Sequence, residues 1–146
     1  MRERIEKLTR GKAVNLNDLH HNHPVTDLEV TTPGGQRYQV SVKGKAKPKW
    51  PAVKGIVTND QYIVFVDCAD VSDVGFYIMS CRQWQSVLKR ILPERDKGAK
   101  IVKGALEWRW VDKDVKKKWR GSWLLPDEIK GYKDKWSTLP GVRARH

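Results

Sequence analysis

Apolar and polar residues alternate with a period of two on both sides of Pro33-Gly34-Gly35. Before the turn, Leu28 and Val30 fall on one side of an extended chain, and Asp27 and Glu29 on the other. After it, Val40 and Val42 share a side, and Gln39, Ser41 and Lys43 share the opposite one. This is the pattern of half-buried strands. It predicts a hairpin of a short strand from Asp27 to Thr31 and a longer one from Gln36 to Lys45, joined by the glycine-containing turn. Asp27, Glu29, Gln39, Ser41 and Lys43 then meet on one face. A carboxylate opposite a lysine on adjacent strands suits a divalent cation held beside a phosphate.

Elsewhere the pattern changes period. Residues 2 to 10 predict a short helix with Ile5 and Leu8 on one side, ended at Gly11. Val14 to Leu19 reads as a brief extended segment before a polar loop. Tyr62 to Cys68 is almost wholly apolar, as in a central strand covered on both faces. A polar turn from Ala69 to Asp73 leads to Gly75 and a strand FYIMS. Ser80 and Gln83 then form a capping box for a helix carrying Trp84, Val87, Leu88, Ile91 and Leu92, stopped at Pro93. That stripe is core. A charged connector, Asp96 to Gly104, precedes an amphipathic strand with Leu106, Trp108 and Trp110 on one side and Glu107 and Arg109 on the other. Pro126, Asp127 and Glu128 suit the first turn of a last helix, with Ile129, Tyr132 and Trp136 inward. The tail after Gly141 is basic and expected to fray.

Composition narrows the class. A chain of 146 residues is expected to form one domain with a real core, and a 39% hydrophobic fraction with seven tryptophans argues against disorder. No apolar run approaches the ~20 residues of a membrane span, and no signal-peptide pattern opens the chain. Cys68 and Cys81 read as buried thiols, which fits a reducing, cytoplasmic setting. The net charge of +12 points to a polyanionic partner. The charge is also clustered around aromatics. Lys45, Lys47, Lys49 and Lys54 surround Trp50, and Lys116, Lys117, Lys118 and Arg120 surround Trp119. Lysine attracts phosphate and tryptophan offers a face for a base, so both clusters are nucleic-acid-binding candidates. His20, His21 and His23 have no accompanying cysteine or spaced fourth ligand, and read as a polar loop rather than a metal site.

Asp27 with Ser41-Val42-Lys43, followed by Trp50, YIVFVDC, GFYIMS before a helix and late W…LP elements, resembles the PD-(D/E)XK nuclease superfamily. The likeness covers roughly residues 24 to 92 well and the remainder loosely. It implies an α/β mixed sheet with a restriction-endonuclease-like αβββαβ core over about residues 1–92. A Trp-rich basic extension over about 93–146 would complete the single domain. It further implies Mg²⁺- or Mn²⁺-dependent phosphodiester hydrolysis, with Asp27 as metal ligand and Lys43 as the positive group. The family's acid two residues before the lysine is Ser41 here. Gln39, Glu29, Glu3 or Glu6 are the residues placed to compensate, Glu29 as a second metal ligand.

Three functions follow as expectations: a metal-dependent nuclease on DNA or RNA, a nucleic-acid-binding module that has lost the metal chemistry, and a basic factor for an acidic protein partner. A homodimer is compatible with each, and none requires a membrane. Without the resemblance, Asp27 and Lys43 read as a cross-strand ion pair contributing about 0–1 kcal/mol.

Overall fold

The hairpin forms where the alternation places it. Leu28–Thr31 (β2) runs antiparallel to Arg37–Lys45 (β3), with Leu28 opposite Val40, Glu29 opposite Gln39 and Val30 opposite Tyr38. Gly35 turns the chain with φ of 88°, a left-handed conformation that glycine adopts without steric cost. Thr32 closes the turn by accepting the Gln36 amide at its hydroxyl and the Gly35 amide at its carbonyl. The computed structural model describes residues 1–15, 27–95, 98–112 and 115–143, the side chains at 52, 108–112 and 115–119 aside. Of the extended segment expected from Val14 to Leu19, Val14 and Asn15 are described as strand, while the rest of it, His20, His21 and His23, and the end of the tail lie outside the described residues.

Lys12–Asn15 (β1) adds to β2 antiparallel, Gln61–Asp67 (β5) to β3 in parallel, and Gly75–Ser80 (β6) to β5 antiparallel. The result is a mixed five-stranded sheet in the order β1-β2-β3-β5-β6. β3 is therefore the middle strand, and β5, expected there, stands next to the edge. A continuous apolar run reports two covered faces, not a place in the strand order. The link from β3 to its parallel neighbour also differs from the αβββαβ plan. It holds a short strand, Trp50–Val53 (β4), and a loop instead of a helix, and Pro48 and Pro51 disfavour a helix in its first half.

One helix packs on each face. Arg2–Thr9 (α1) lays Ile5 against Leu28, Val30, Tyr38, Val40, Val64 and Ile78. It stops at Arg10, left-handed at φ 57°, and Gly11 follows because a Cβ there would fall 2.0 Å from the Thr31 carbonyl oxygen. Cys81–Ile91 (α2) covers the other face with Trp84, Val87, Leu88 and Ile91 against Ile63, Phe65 and Met79. Both halves of the Ser80–Gln83 capping box are made.

The C-terminal third shares this second core. Ala99–Val102 (β7), Ala105–Asp112 (β8) and Val115–Arg120 (β9) form a three-stranded antiparallel sheet, and Ser122–Leu124 (β10) pairs with β4. Leu106, Leu124 and Ile129 enter the α2-side core. Glu107, expected to face outward, is buried with Leu106. The expected last helix is two 3₁₀ segments, Pro126–Tyr132 and Trp136–Thr138, the first broken at Ile129. Tyr132 packs on the α2-side core and Trp136 on the α1-side core, so one straight helix could not serve both. Among the described residues, no helix is long and apolar enough to cross a membrane.

Candidate nucleic-acid interface

Register decides the face of the predicted site. Extending the β2–β3 pairing by one residue sets Asp27 across from Ser41, on the strand side shared by Glu29, Gln39 and Lys43. The residues that the alternation grouped are thus brought together by the backbone. Asp27 has a local duty as well. Its amide donates to the Val40 carbonyl at 2.9 Å, and its carboxylate Oδ2 accepts the Val42 amide at 2.7 Å. That carboxylate lines an open groove with Glu3 at the start of α1 and Asn15 at the end of β1. Glu6 is not available there, because it accepts the Ala13 amide at 3.0 Å and ties β1 to α1.

The donor set falls short of a magnesium site. Ser41 is 1% exposed, and its hydroxyl is buried without a hydrogen-bond partner among the described residues. Glu29 sits opposite Gln39, one rung away from Asp27 along the face. No group of three histidine, cysteine or acidic side chains able to hold a metal occurs among the described residues. Magnesium takes an octahedron of oxygens and usually one or two carboxylates with waters and phosphates. Here one of those carboxylates already has an oxygen occupied by a backbone amide.

Two expected binding residues belong to the interior. Trp50 is 1% exposed, donates its indole N–H to the Lys43 carbonyl and packs edge-on to Phe65 and Tyr77. It offers no face to a base. The pairing of β4 with β10 draws it in, a contact 74 residues away in sequence that local pattern does not reveal: Trp50 aligns with Leu124. Lys45 is buried too, with Nζ 2.6 Å from Asp67 Oδ1 and 4.8 Å from the Trp50 ring centroid. Burial would push the Asp67 carboxyl up, but the hydrogen bond from Lys45, the Ala69 amide and the lysine charge together hold it below its ordinary value. Cys81 is likewise a packing residue, since burial pushes its thiol up and away from the reactive thiolate.

Lys47, Lys49 and Lys54 are exposed, and none of the ion pairs among the described residues takes them. Beside Lys49 stands Trp123, 38% exposed, with Lys49 Nζ 5.5 Å from its ring centroid and the Arg95 guanidinium 3.6 Å from it. Arg95 is fixed in turn by both carboxylate oxygens of Glu128, at 2.8 and 3.0 Å. The exposed tryptophan of this ridge is therefore Trp123, not Trp50. The only sequence signal for it was its place between two inward residues of a three-residue strand. Arg120 donates to the Lys103 carbonyl and braces the β7–β8 turn. Lys116, Lys117, Lys118 and Trp119 lie on β9, and their side chains are outside those described.

A second basic surface was not expected. α1, the β2–β3 turn and the C-terminal segment enclose an open cleft of about 1530 Å³, and Glu3 lines both this cleft and the Asp27 groove. Set against known proteins, the chain matches no family model, no curated protein and no solved structure.

Proposed function

We propose that this chain is a nucleic-acid-binding module on a PD-(D/E)XK-like hairpin that has lost the metal chemistry. The observation that carries the reading is the sorting of charge at the end of β3. Lys45 is withdrawn into a buried pair, while Lys47, Lys49 and Lys54 remain exposed without a carboxylate among the described ion pairs, Lys49 next to the half-open Trp123. Lysines on mobile stems neutralise phosphates without reading bases, so binding is largely independent of sequence. The serine at position 41 and the thin donor set around Asp27 among the described residues support the loss of metal chemistry. Two free thiols, Cys68 and Cys81, suit a reducing, cytoplasmic setting.

Metal-dependent hydrolysis is the second reading, favoured by Glu3 and Asp27 lining one groove. One experiment separates them: labelled DNA and RNA are incubated with the protein, with and without Mg²⁺ or Mn²⁺, and followed for binding and for cleavage. The binding-module reading predicts salt-dependent complexes and intact substrate. Cleavage that requires metal and disappears in both Asp27→Asn and Lys43→Ala would establish the nuclease. Absence of any complex would move an acidic protein partner to the front.

A further inference from the structure

We infer that the cleft between α1 and the C-terminal segment binds single-stranded nucleic acid, with Arg4 and Trp136 taking an unpaired base. The inference rests on the nucleic-acid reading above and names a second, strand-selective surface within it. Five cations line the cleft: Arg4 and Lys7 from α1, Arg10 just past its end, and Lys135 and Arg143 from the opposite wall. All five are exposed, and only Glu3 and Asp134 oppose them among the lining residues. At about 1530 Å³, the cleft exceeds the ~300–1,000 Å³ of small-molecule pockets and has the volume for a polymer segment.

Its aromatic feature distinguishes single strand from duplex. Trp136 is half-buried against Phe76, with ring centroids 5.4 Å apart, and Arg4 lies over both rings at 5.6 and 4.5 Å. Arg4 is therefore held in place while remaining exposed. Arginine planes and indoles held this way stack on the π-face of a base. In a duplex those faces are occupied by neighbouring base pairs, so only an unpaired base can use them. The exposed lysine ridge has no such restriction, since every nucleic acid carries phosphates.

Fluorescence anisotropy at fixed salt tests this with labelled single strands of about a dozen nucleotides, within the length range one such groove covers. DNA and RNA single strands and a matching duplex are compared for the wild type, Arg4→Glu, Lys135→Glu and Lys47→Glu/Lys49→Glu. Arg4→Glu and Lys135→Glu sit on opposite walls and are both exposed, so each checks the other if one perturbs folding. Each is expected to weaken single-strand binding by about tenfold, the effect of losing one stacked base or its clamp, and to weaken duplex binding much less. The ridge variant should weaken both substrates. Single-strand affinity unchanged in Arg4→Glu and Lys135→Glu, or an equal loss on duplex, overturns the inference and leaves the ridge reading standing. A wild type that binds none of the three overturns both.

Discussion

The Asp27 carboxylate accepts the amide of Val42, fifteen residues on, at 2.7 Å. It supplies a rung of the hairpin ladder just where β2 begins, so this acid stabilises the fold whatever else it does. Asp27→Ala should cost about 1.5–3 kcal/mol, the range for a hydrogen bond to a charged group. Asp27→Asn keeps an oxygen acceptor and should lose about half as much, since neutral bonds are roughly half as strong. Urea unfolding of the three proteins measures both. Equal stability of all three would mean the bond contributes nothing.

Ser41 gives a test of the proposed loss of metal chemistry. Its buried, unpartnered hydroxyl already costs desolvation, so Ser41→Ala should be neutral or stabilising by up to about 1 kcal/mol. Placing an acid at this position with Ser41→Glu buries a carboxylate and should destabilise by about 3 kcal/mol or more. Thermal unfolding with and without Mg²⁺ then discriminates. A degenerate site recovers none of the loss in metal, whereas recovery would show that the hairpin still assembles a cation site around Asp27.

The buried Lys45–Asp67 pair makes stability depend on pH in a defined direction. Asp67 has its folded pKa lowered, so its contribution is present above the unfolded carboxylate value, near pH 4, and is lost as pH falls through the lowered folded value. Lys45→Met keeps packing against Trp50 but leaves Asp67 unpaired. Near neutral pH it should cost up to about 3 kcal/mol, the low end for breaking a buried pair, because 19% of the Asp67 side chain stays exposed. The gap between wild type and Lys45→Met should narrow in unfolding experiments below about pH 4. A gap that is constant with pH would assign the loss to packing alone.

Period-two and period-3.6 patterns made most elements legible, because each depends only on near neighbours in sequence. The hairpin, α1, the Ser80 capping box and α2 all follow from residues within one turn or one strand. The fate of the basic cluster around Trp50 was not legible. Prolines and lysines there read as an exposed loop, yet Trp50 is claimed by β10 and Lys45 by Asp67, partners 74 and 22 residues away. The cleft was hidden for the same reason. Its walls, Arg4 and Trp136, stand at opposite ends of the chain and meet each other over Phe76, a third residue distant from both in sequence.

That long-range closure has one tight point. The Gly104 carbonyl accepts both the Trp84 indole N–H at 2.8 Å and the Gly55 amide at 3.0 Å. A Cβ on Gly55 would lie 1.9 Å from Trp84 Nε1 and 2.8 Å from the Gly104 oxygen. Gly55→Ala should therefore separate the β7–β8 turn from the core and cost about 2–4 kcal/mol, in the range of overpacking combined with broken buried hydrogen bonds. A near-native melting temperature would show that this junction yields easily.

The central claim is phosphate binding by the exposed lysines at the end of β3, and its most direct test is the salt dependence of duplex affinity. Each phosphate neutralised contributes about 0.9 to the slope of log affinity against log salt. The wild type should bind with a steep slope, and Lys47→Ala/Lys49→Ala should flatten it by up to about 1.8. Trp123→Ala should weaken binding with little change in slope, because stacking releases no counterions. A wild type without salt-dependent affinity for any nucleic acid, or a double variant with an unchanged slope, would contradict the account.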